Sequence, residues 1–108
     1  MLHLKEKPTL EDFQEYVRKL EIERGFSAQS PHEKCLLLGE EIGELFKAIR
    51  KATGLNVDEN SSFRDIGDEL ADILIYICSI ANRFDISLEE SFRKKEKINK
   101  QRKWIKIQ

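Results

Sequence analysis

The residues in this sequence best suited to chemistry are four acids arranged in two pairs of similar spacing. Glu41 and Glu44 are three positions apart, and so are Glu69 and Asp72. On a helix, residues three apart are surface neighbours, so each pair presents two carboxylates to one side. Hard divalent ions such as Mg²⁺ prefer oxygen ligands of this kind. Two facing helices that carry these pairs would bring four carboxylates to one Mg²⁺ site.

Apolar residues around each pair predict that the acids border the core. A stripe at helical spacing adjoins the first pair: Leu38, Ile42, Leu45 and Ile49. Glu40 falls further round the helix, on the side that we expect to be exposed. Asp72 lies inside an apolar run, residues 70–81, which we expect to be buried on most sides. Burying an isolated carboxylate is costly, so another group must compensate its charge. That group is either a metal ion or a lysine or arginine side chain from another helix, and the spacing alone leaves both alternatives open.

Four helix start signals indicate the elements that position the acids. They are Thr9-Leu-Glu-Asp12, Ser30-Pro-His-Glu33, Ser61 or Ser62 with Asp65 in the first turn, and Ser87-Leu-Glu-Glu90. The predicted helices extend to about Arg24, to about Ala52, to about Phe84, and past Arg102. Since no segment alternates with the period of a strand, the sequence predicts an all-α domain, a bundle of four helices with short connections.

Length and composition limit the class of protein. The chain has 108 residues, 19 of them lysine or arginine and 20 aspartate or glutamate, so its formal net charge is −1. We expect a single domain over residues 1–108, and the charge balance disfavours a nucleic-acid binder, which is usually basic. The longest apolar run has 12 residues, shorter than the ~20 that cross a bilayer. With no apolar leader at the N-terminus, we expect a cytoplasmic protein that does not bind membranes.

Two longer motifs resemble a known family. Leu38-Gly-Glu-Glu-Ile-Gly-Glu-Leu45 and Asp68-Glu-Leu-Ala-Asp-Ile-Leu-Ile-Tyr76 are similar to the motifs of MazG-like all-α nucleoside triphosphate pyrophosphohydrolases. That superfamily includes dCTP pyrophosphatases, dimeric dUTPases and phosphoribosyl-ATP pyrophosphohydrolases. Arg24-Gly-Phe26, Gln29-Ser-Pro31 and a K-x-x-x-N-x-x-R tail extend the likeness over roughly residues 23–104.

The resemblance implies a four- to five-helix bundle of the all-α NTP pyrophosphatase type. It implies Mg²⁺-dependent hydrolysis of (deoxy)nucleoside triphosphates to the monophosphate and pyrophosphate, removing aberrant or surplus nucleotides, with Mn²⁺ able to replace Mg²⁺. The metal ligands would be Glu41, Glu44, Glu69 and Asp72, and Glu44 or Glu40 would activate the attacking water. A non-catalytic nucleotide-binding or partner-binding module and a phosphoribosyl-ATP type of enzyme are the alternatives.

Five further residues are candidates for binding the substrate. Lys95, Asn99 and Arg102 share one face of the last predicted helix, and the resemblance implies that they contact the phosphates; the alternative is a solvated basic face. Tyr76 matches a substrate-contacting tyrosine of dCTP-pyrophosphatase-like relatives, or it is a core residue. Phe26 matches an aromatic position that can stack on a base, with core packing as the alternative that we favour.

We also expect self-association into a homodimer or homotetramer. Ile75 and Cys78 lie opposite Ile73 and Ile77 on the third predicted helix, so apolar side chains face two directions. A lone four-helix unit cannot cover both faces, and the resemblance implies an oligomer as well.

Overall fold

The computed structural model describes residues 2–54 and 65–103, and within them it confirms the all-α prediction. Four helices follow one another along the chain: α1 (Leu10–Arg24), α2 (Pro31–Ala52), α3 (Ile66–Arg83) and α4 (Leu88–Lys100). The described ranges contain no strand and no helix long and apolar enough to cross a membrane.

The first two helices begin where the sequence predicts. The Thr9 hydroxyl accepts a hydrogen bond from the Asp12 backbone N–H, and the Asp12 carboxylate accepts one in return from the Thr9 N–H. Ser30 and Glu33 form the same reciprocal pair at the start of α2. Each box satisfies two backbone donors that a helix start otherwise leaves unpaired.

Two predicted boundaries were wrong. The third helix begins at Ile66, because Asp65 has extended backbone angles and caps the helix by accepting a hydrogen bond from the Asp68 N–H. The start signal at Ser61 or Ser62 lies outside the described residues. The last helix ends at Lys100 instead of continuing past Arg102, with Gln101 as its C-cap.

The chain packs around α3. The helices α2 and α1 both lie against α3, and α4 packs against α1. Val17, Leu20 and Cys78 form the fully buried centre of the core. Partly buried apolar side chains surround this centre: Leu2, Phe13, Tyr16, Leu74, Ile75 and Leu88.

The structure shows which of the predicted apolar faces are covered within one chain. Of the two opposite apolar faces of α3, the one with Cys78 and Ile75 packs in the core of the single chain because α1 covers it. Conversely, Leu70 and Ile77 are exposed, so α3 is not buried all round, and Ile49 at the end of the α2 stripe is exposed too. Apolar side chains therefore remain on the surface, and Ile77 among them belongs to the second of the two faces that the sequence indicated.

Candidate active site

Three of the four predicted metal ligands come together where α2 and α3 pack against each other. Glu41 on α2 and Glu69 and Asp72 on α3 each place one carboxylate oxygen within 4.8 Å of the others. Glu69 is almost fully buried, with 1% of its surface exposed, and the other two are half-buried. Like charges this close repel each other when ionised, and a divalent cation bound between them would remove that repulsion. The donor set therefore fits a hard cation such as Mg²⁺.

Glu44, the fourth predicted ligand, is not part of this group. Its side chain is 44% exposed, and its carboxylate lies 3.7 Å from the Lys47 Nζ one turn further along α2. Glu40 is exposed, as expected. The roles of Glu44 and Glu40 as ligand or water-activating base stay predictions.

A pocket of about 360 Å³ opens beside the acidic group, between α1, α2 and α3. Asp72 belongs both to the group and to the pocket wall, so the two are continuous. Tyr76 and Phe26 line the pocket as well. Phe26 is 44% exposed, so the core role that we favoured for it was wrong. A partly exposed aromatic side chain beside a pocket is suited to packing against a flat ring.

A buried ionic network that the sequence analysis missed adjoins this pocket, and three of its members line the wall: Glu21, Lys34 and Ser79. The Glu21 carboxylate on α1 accepts hydrogen bonds from Arg83 and from the Ser79 hydroxyl on α3, each at 3.0 Å. It also forms an ion pair with Lys34 on α2, with the Nζ 3.1 Å from a carboxylate oxygen. One interaction network thus joins all three helices around the pocket.

Within the described residues, the Glu21 carboxylate pairs with two cations, Lys34 and Arg83. The side chains of Glu21, Lys34 and Arg83 are only 6%, 5% and 12% exposed. Burial raises the pKa of Glu21, but hydrogen bonds from Arg83, Lys34 and Ser79 outweigh it and hold that pKa below its ordinary value. Because the ionised Glu21 carboxylate is shared between Lys34 and Arg83, these three side chains together carry a net positive charge.

Lys34 also lies over both aromatic rings of the pocket. Its Nζ is 5.4 Å from the centroid of the Phe26 ring and 5.5 Å from that of Tyr76. These are cation–π distances, which favour keeping the ammonium between the two rings. The sequence did contain a signal that Lys34 is buried, because this lysine precedes Leu38 and Ile42 at intervals of four on the core-facing stripe.

Arg83 holds the connection between α1 and α2 in place. Its Nε donates to the Gln29 carbonyl at 2.7 Å, and its Nη2 donates to the Phe26 carbonyl at 3.0 Å. Gly25 makes the preceding turn possible, since it ends α1 with a positive φ of 79° that other residues rarely adopt. The loop that carries Phe26 and Gln29 is therefore fixed to α3.

The predicted phosphate-binding residues lie on α4 and just beyond it. Lys95 and Arg102 are exposed, and Asn99 is half-buried with its Oδ1 unpaired within the described ranges. The main packing partner of α4 is α1, and the structure does not gather these three side chains at the pocket that contains Asp72. Phosphate binding by Lys95, Asn99 and Arg102 stays a prediction. His3 and His32, which we did not expect to act as ligands or bases, are exposed.

Comparison with known proteins decides the family. Residues 29–105 match the MazG nucleotide pyrophosphohydrolase domain, which is more than half of the chain. The chain belongs to the MazG nucleotide pyrophosphohydrolase family. The resemblance seen in the acidic motifs is thereby confirmed.

A solved structure supports the MazG fold. The chain is similar to the crystal structure of iMazG from Vibrio DAT 722, with a TM-score of 0.61 and 27% sequence identity. The alignment covers 85% of this chain and 94% of that one. None of the curated proteins compared with the chain matches it.

Proposed function

We propose that this MazG-family chain hydrolyses (deoxy)nucleoside triphosphates to the monophosphate and pyrophosphate with the help of Mg²⁺. The observation that carries the proposal is the convergence of Glu41, Glu69 and Asp72 beside a pocket with aromatic walls. A metal-binding carboxylate group suits the phosphates, and the adjoining pocket suits the nucleoside. Removal of aberrant or surplus nucleotides is the role that we infer for this activity.

Glu41, Glu69 and Asp72 would hold Mg²⁺, with Mn²⁺ able to replace it. When bound, such an ion neutralises phosphate charge, polarises phosphorus and lowers the pKa of a bound water. Phosphoryl transfer requires mainly positioning and electrostatic stabilisation from a protein. Glu44 or Glu40 is proposed to orient or deprotonate the attacking water. Both side chains are open to solvent, from which that water would come.

The substrate is proposed to lie with its base in the pocket and its phosphates toward the acids. Phe26 and Tyr76 line the pocket and would contact the base, while Asp72 marks the end nearest the metal group. Lys95, Asn99 and Arg102 are proposed to contact the phosphate tail, supported by their shared helix face and by the family tail motif.

Pyrophosphate release from a panel of nucleoside triphosphates with Mg²⁺ tests the activity, and phosphorus NMR locates the broken bond. We expect E69Q and D72N to lower kcat/KM by about 100-fold or more, since each removes a charged ligand atom. E23Q is the matched control, because Glu23 is an exposed acid outside the group.

Two results would contradict the proposal. Full activity in E69Q and D72N would exclude the acidic group as the active site. Nucleotide binding in calorimetry without turnover of any triphosphate would indicate a non-catalytic binding module instead of an enzyme. Turnover of phosphoribosyl-ATP alone would indicate a pyrophosphohydrolase of the phosphoribosyl-ATP type.

We also propose that the chain forms a homodimer or homotetramer. Large apolar side chains on α2 and α3 are exposed in the single chain, among them Leu36, Phe46 and Leu70. Large apolar side chains exposed on one chain are often covered at an interface between copies. Light scattering at micromolar concentration tests this, and the mass of a single chain would contradict it.

A further inference from the structure

The last helix has a long surface that the described part of its own chain leaves exposed. Its first residue, Leu88, packs against the core, but residues 89–98 of α4 are all exposed, Phe92 over 68% of its surface. A groove of about 570 Å³ lies along this part of α4, and Leu10 at the start of α1 lines it together with Phe92 and charged side chains. An exposed groove with apolar side chains in its wall is a surface that a partner can cover.

Four charged residues of this groove form one stripe of alternating sign. They are Glu89, Arg93, Glu96 and Lys100, and they follow one another at helical spacings of four, three and four residues. Along the helix their charges are negative, positive, negative and positive. When the same stripe runs in the opposite direction, each position meets a charge of the opposite sign. The stripe is therefore complementary to an antiparallel copy of itself.

We propose that α4 is an interface at which two copies of this chain pair antiparallel, groove against groove. Glu89 of one copy faces Lys100 of the other copy. Arg93 of one copy likewise faces Glu96 of the other. Both pairs form around one two-fold axis at the midpoint of the stripe, because the two members of each pair are equally distant from that point. A contact with two-fold symmetry forms each pair twice and closes on itself.

The groove supplies apolar contact as well as charge. A second α4 lying in it would cover Phe92 and Leu10 and remove their apolar surface from water. Arg93 already forms an ion pair with Glu89 of its own helix, with 3.3 Å between the Nε and the carboxylate oxygen. Because these side chains are 77% and 48% exposed, each has room for a further partner. This ion pair links the contacts across the interface into a network, which is worth more than isolated exposed pairs.

The α4 interface is distinct from the surfaces proposed above, and it does not depend on the proposed hydrolysis. The apolar residues proposed for self-association lie on α2 and α3, whereas the stripe lies on α4. Two different two-fold interfaces on one chain generate a tetramer that is a dimer of dimers. Lys95 and Asn99, which are proposed to contact phosphate, lie roughly a quarter turn or more away from the stripe around α4.

Charge reversals, studied singly and as a mixture, test the interface and its register. R93E brings acids together at the centre of the contact, and E96R brings basic side chains together there. We expect each variant alone to associate at least about tenfold more weakly than the wild type, so its mass in sedimentation should fall toward half. The measurement is made at low ionic strength, where exposed charges are least screened. In an equal mixture, acids of R93E face basic side chains of E96R, so we expect the wild-type mass to return.

K94E is the matched control for these variants. It makes the same change of charge one residue away from Arg93, at an exposed position on another side of α4. We expect K94E to keep the wild-type mass. Circular dichroism checks that each variant keeps its helix content, and recovery of mass in the mixture is itself a result that misfolded variants would not give.

The outcomes separate the α4 interface from the other proposals. A fall from tetramer to dimer in R93E supports interfaces on both surfaces, and a fall from dimer to single chain supports α4 alone. Wild-type mass in R93E and E96R would show that another molecule, or none, covers the groove, and would overturn the inference. A wild type with the mass of one chain, a mixture that stays at the lower mass, or an equal loss in K94E would overturn it as well. Pyrophosphate release is measured separately and tests hydrolysis alone.

Discussion

Removal of the shared anion beneath the pocket provides the sharpest test of the interaction network. In E21Q the Glu21 carboxylate becomes a neutral amide, which leaves Lys34 and Arg83 buried without their common counter-ion. Breaking a buried ion pair on one side costs about 3–5 kcal/mol, because the remaining charge is uncompensated. Domains are typically stable by about 5–15 kcal/mol, so E21Q should lose a large share of its free energy of unfolding.

Urea unfolding followed by circular dichroism, at one fixed protein concentration, measures this loss. With an m-value of about 2 kcal/mol per molar urea, the midpoint should fall by about 2 M. The double variant E21Q/K34M removes one of the two unpaired cations as well. It should therefore be more stable than E21Q alone by at least about 1 kcal/mol, a coupling that independent sites would not give.

The pH dependence of the same variants has a defined sign. The pKa of Glu21 is lowered on folding from its ordinary value of 4.5, so between the two values the unfolded chain binds more protons. The stabilisation from Glu21 is therefore complete above about pH 4.5 and is lost as the pH falls through the lowered value. E21Q lacks this group, so its stability should fall less steeply below pH 5 than that of the wild type. Two observations on E21Q would together refute the reasoning. They are a wild-type free energy of unfolding at neutral pH and a loss of stability below pH 5 as steep as that of the wild type.

Two further predictions concern the acidic group and the hydrogen bonds by which Arg83 holds the loop of Phe26 and Gln29. Mg²⁺ at about 100 times its Kd should stabilise the wild type by about 2.7 kcal/mol and raise Tm by about 10 °C or more, whereas D72N should show little shift in differential scanning fluorimetry. An equal shift in both proteins would place the cation elsewhere. R83K keeps the charge but cannot reach the Phe26 and Gln29 carbonyls with a planar fork, so we expect KM for nucleotides to rise about tenfold with a smaller change in kcat. An unchanged KM would show that the Arg83 hydrogen bonds do not position the loop.

The helices were predictable because their signals are local. The capping boxes at Thr9 and Ser30 need only residues within one turn, and the structure forms both. The start of α3 was misjudged because Asp65 and a preceding serine are both good caps, and only the backbone angles at Asp65 distinguish them. The exposure of Leu70 and Ile77 was not predictable, since an apolar side chain is covered only if another helix reaches it.

The candidate site likewise has a part that the sequence predicts and a part that it does not. The E-x-x-E and E-x-x-D spacing was enough to select Glu41, Glu69 and Asp72, because a shared helix face follows from three-residue spacing. It also selected Glu44, which the structure leaves apart from the group. A helix face is broad, so two residues on it approach a partner helix to different extents. Which of them reaches the partner depends on how α2 and α3 cross.

The sequence by itself determined the helical class, the family motifs and the pairing of the acids, because each depends on residues a few positions apart. The tertiary structure decided which acids converge, that Phe26 faces a pocket, and that Glu21, Lys34 and Arg83 form one buried network. Those residues are 13 and 49 positions apart along the chain. Nothing local specifies such contacts; they arise only when α1, α2 and α3 bury their apolar faces together and bring the polar residues on those faces into reach.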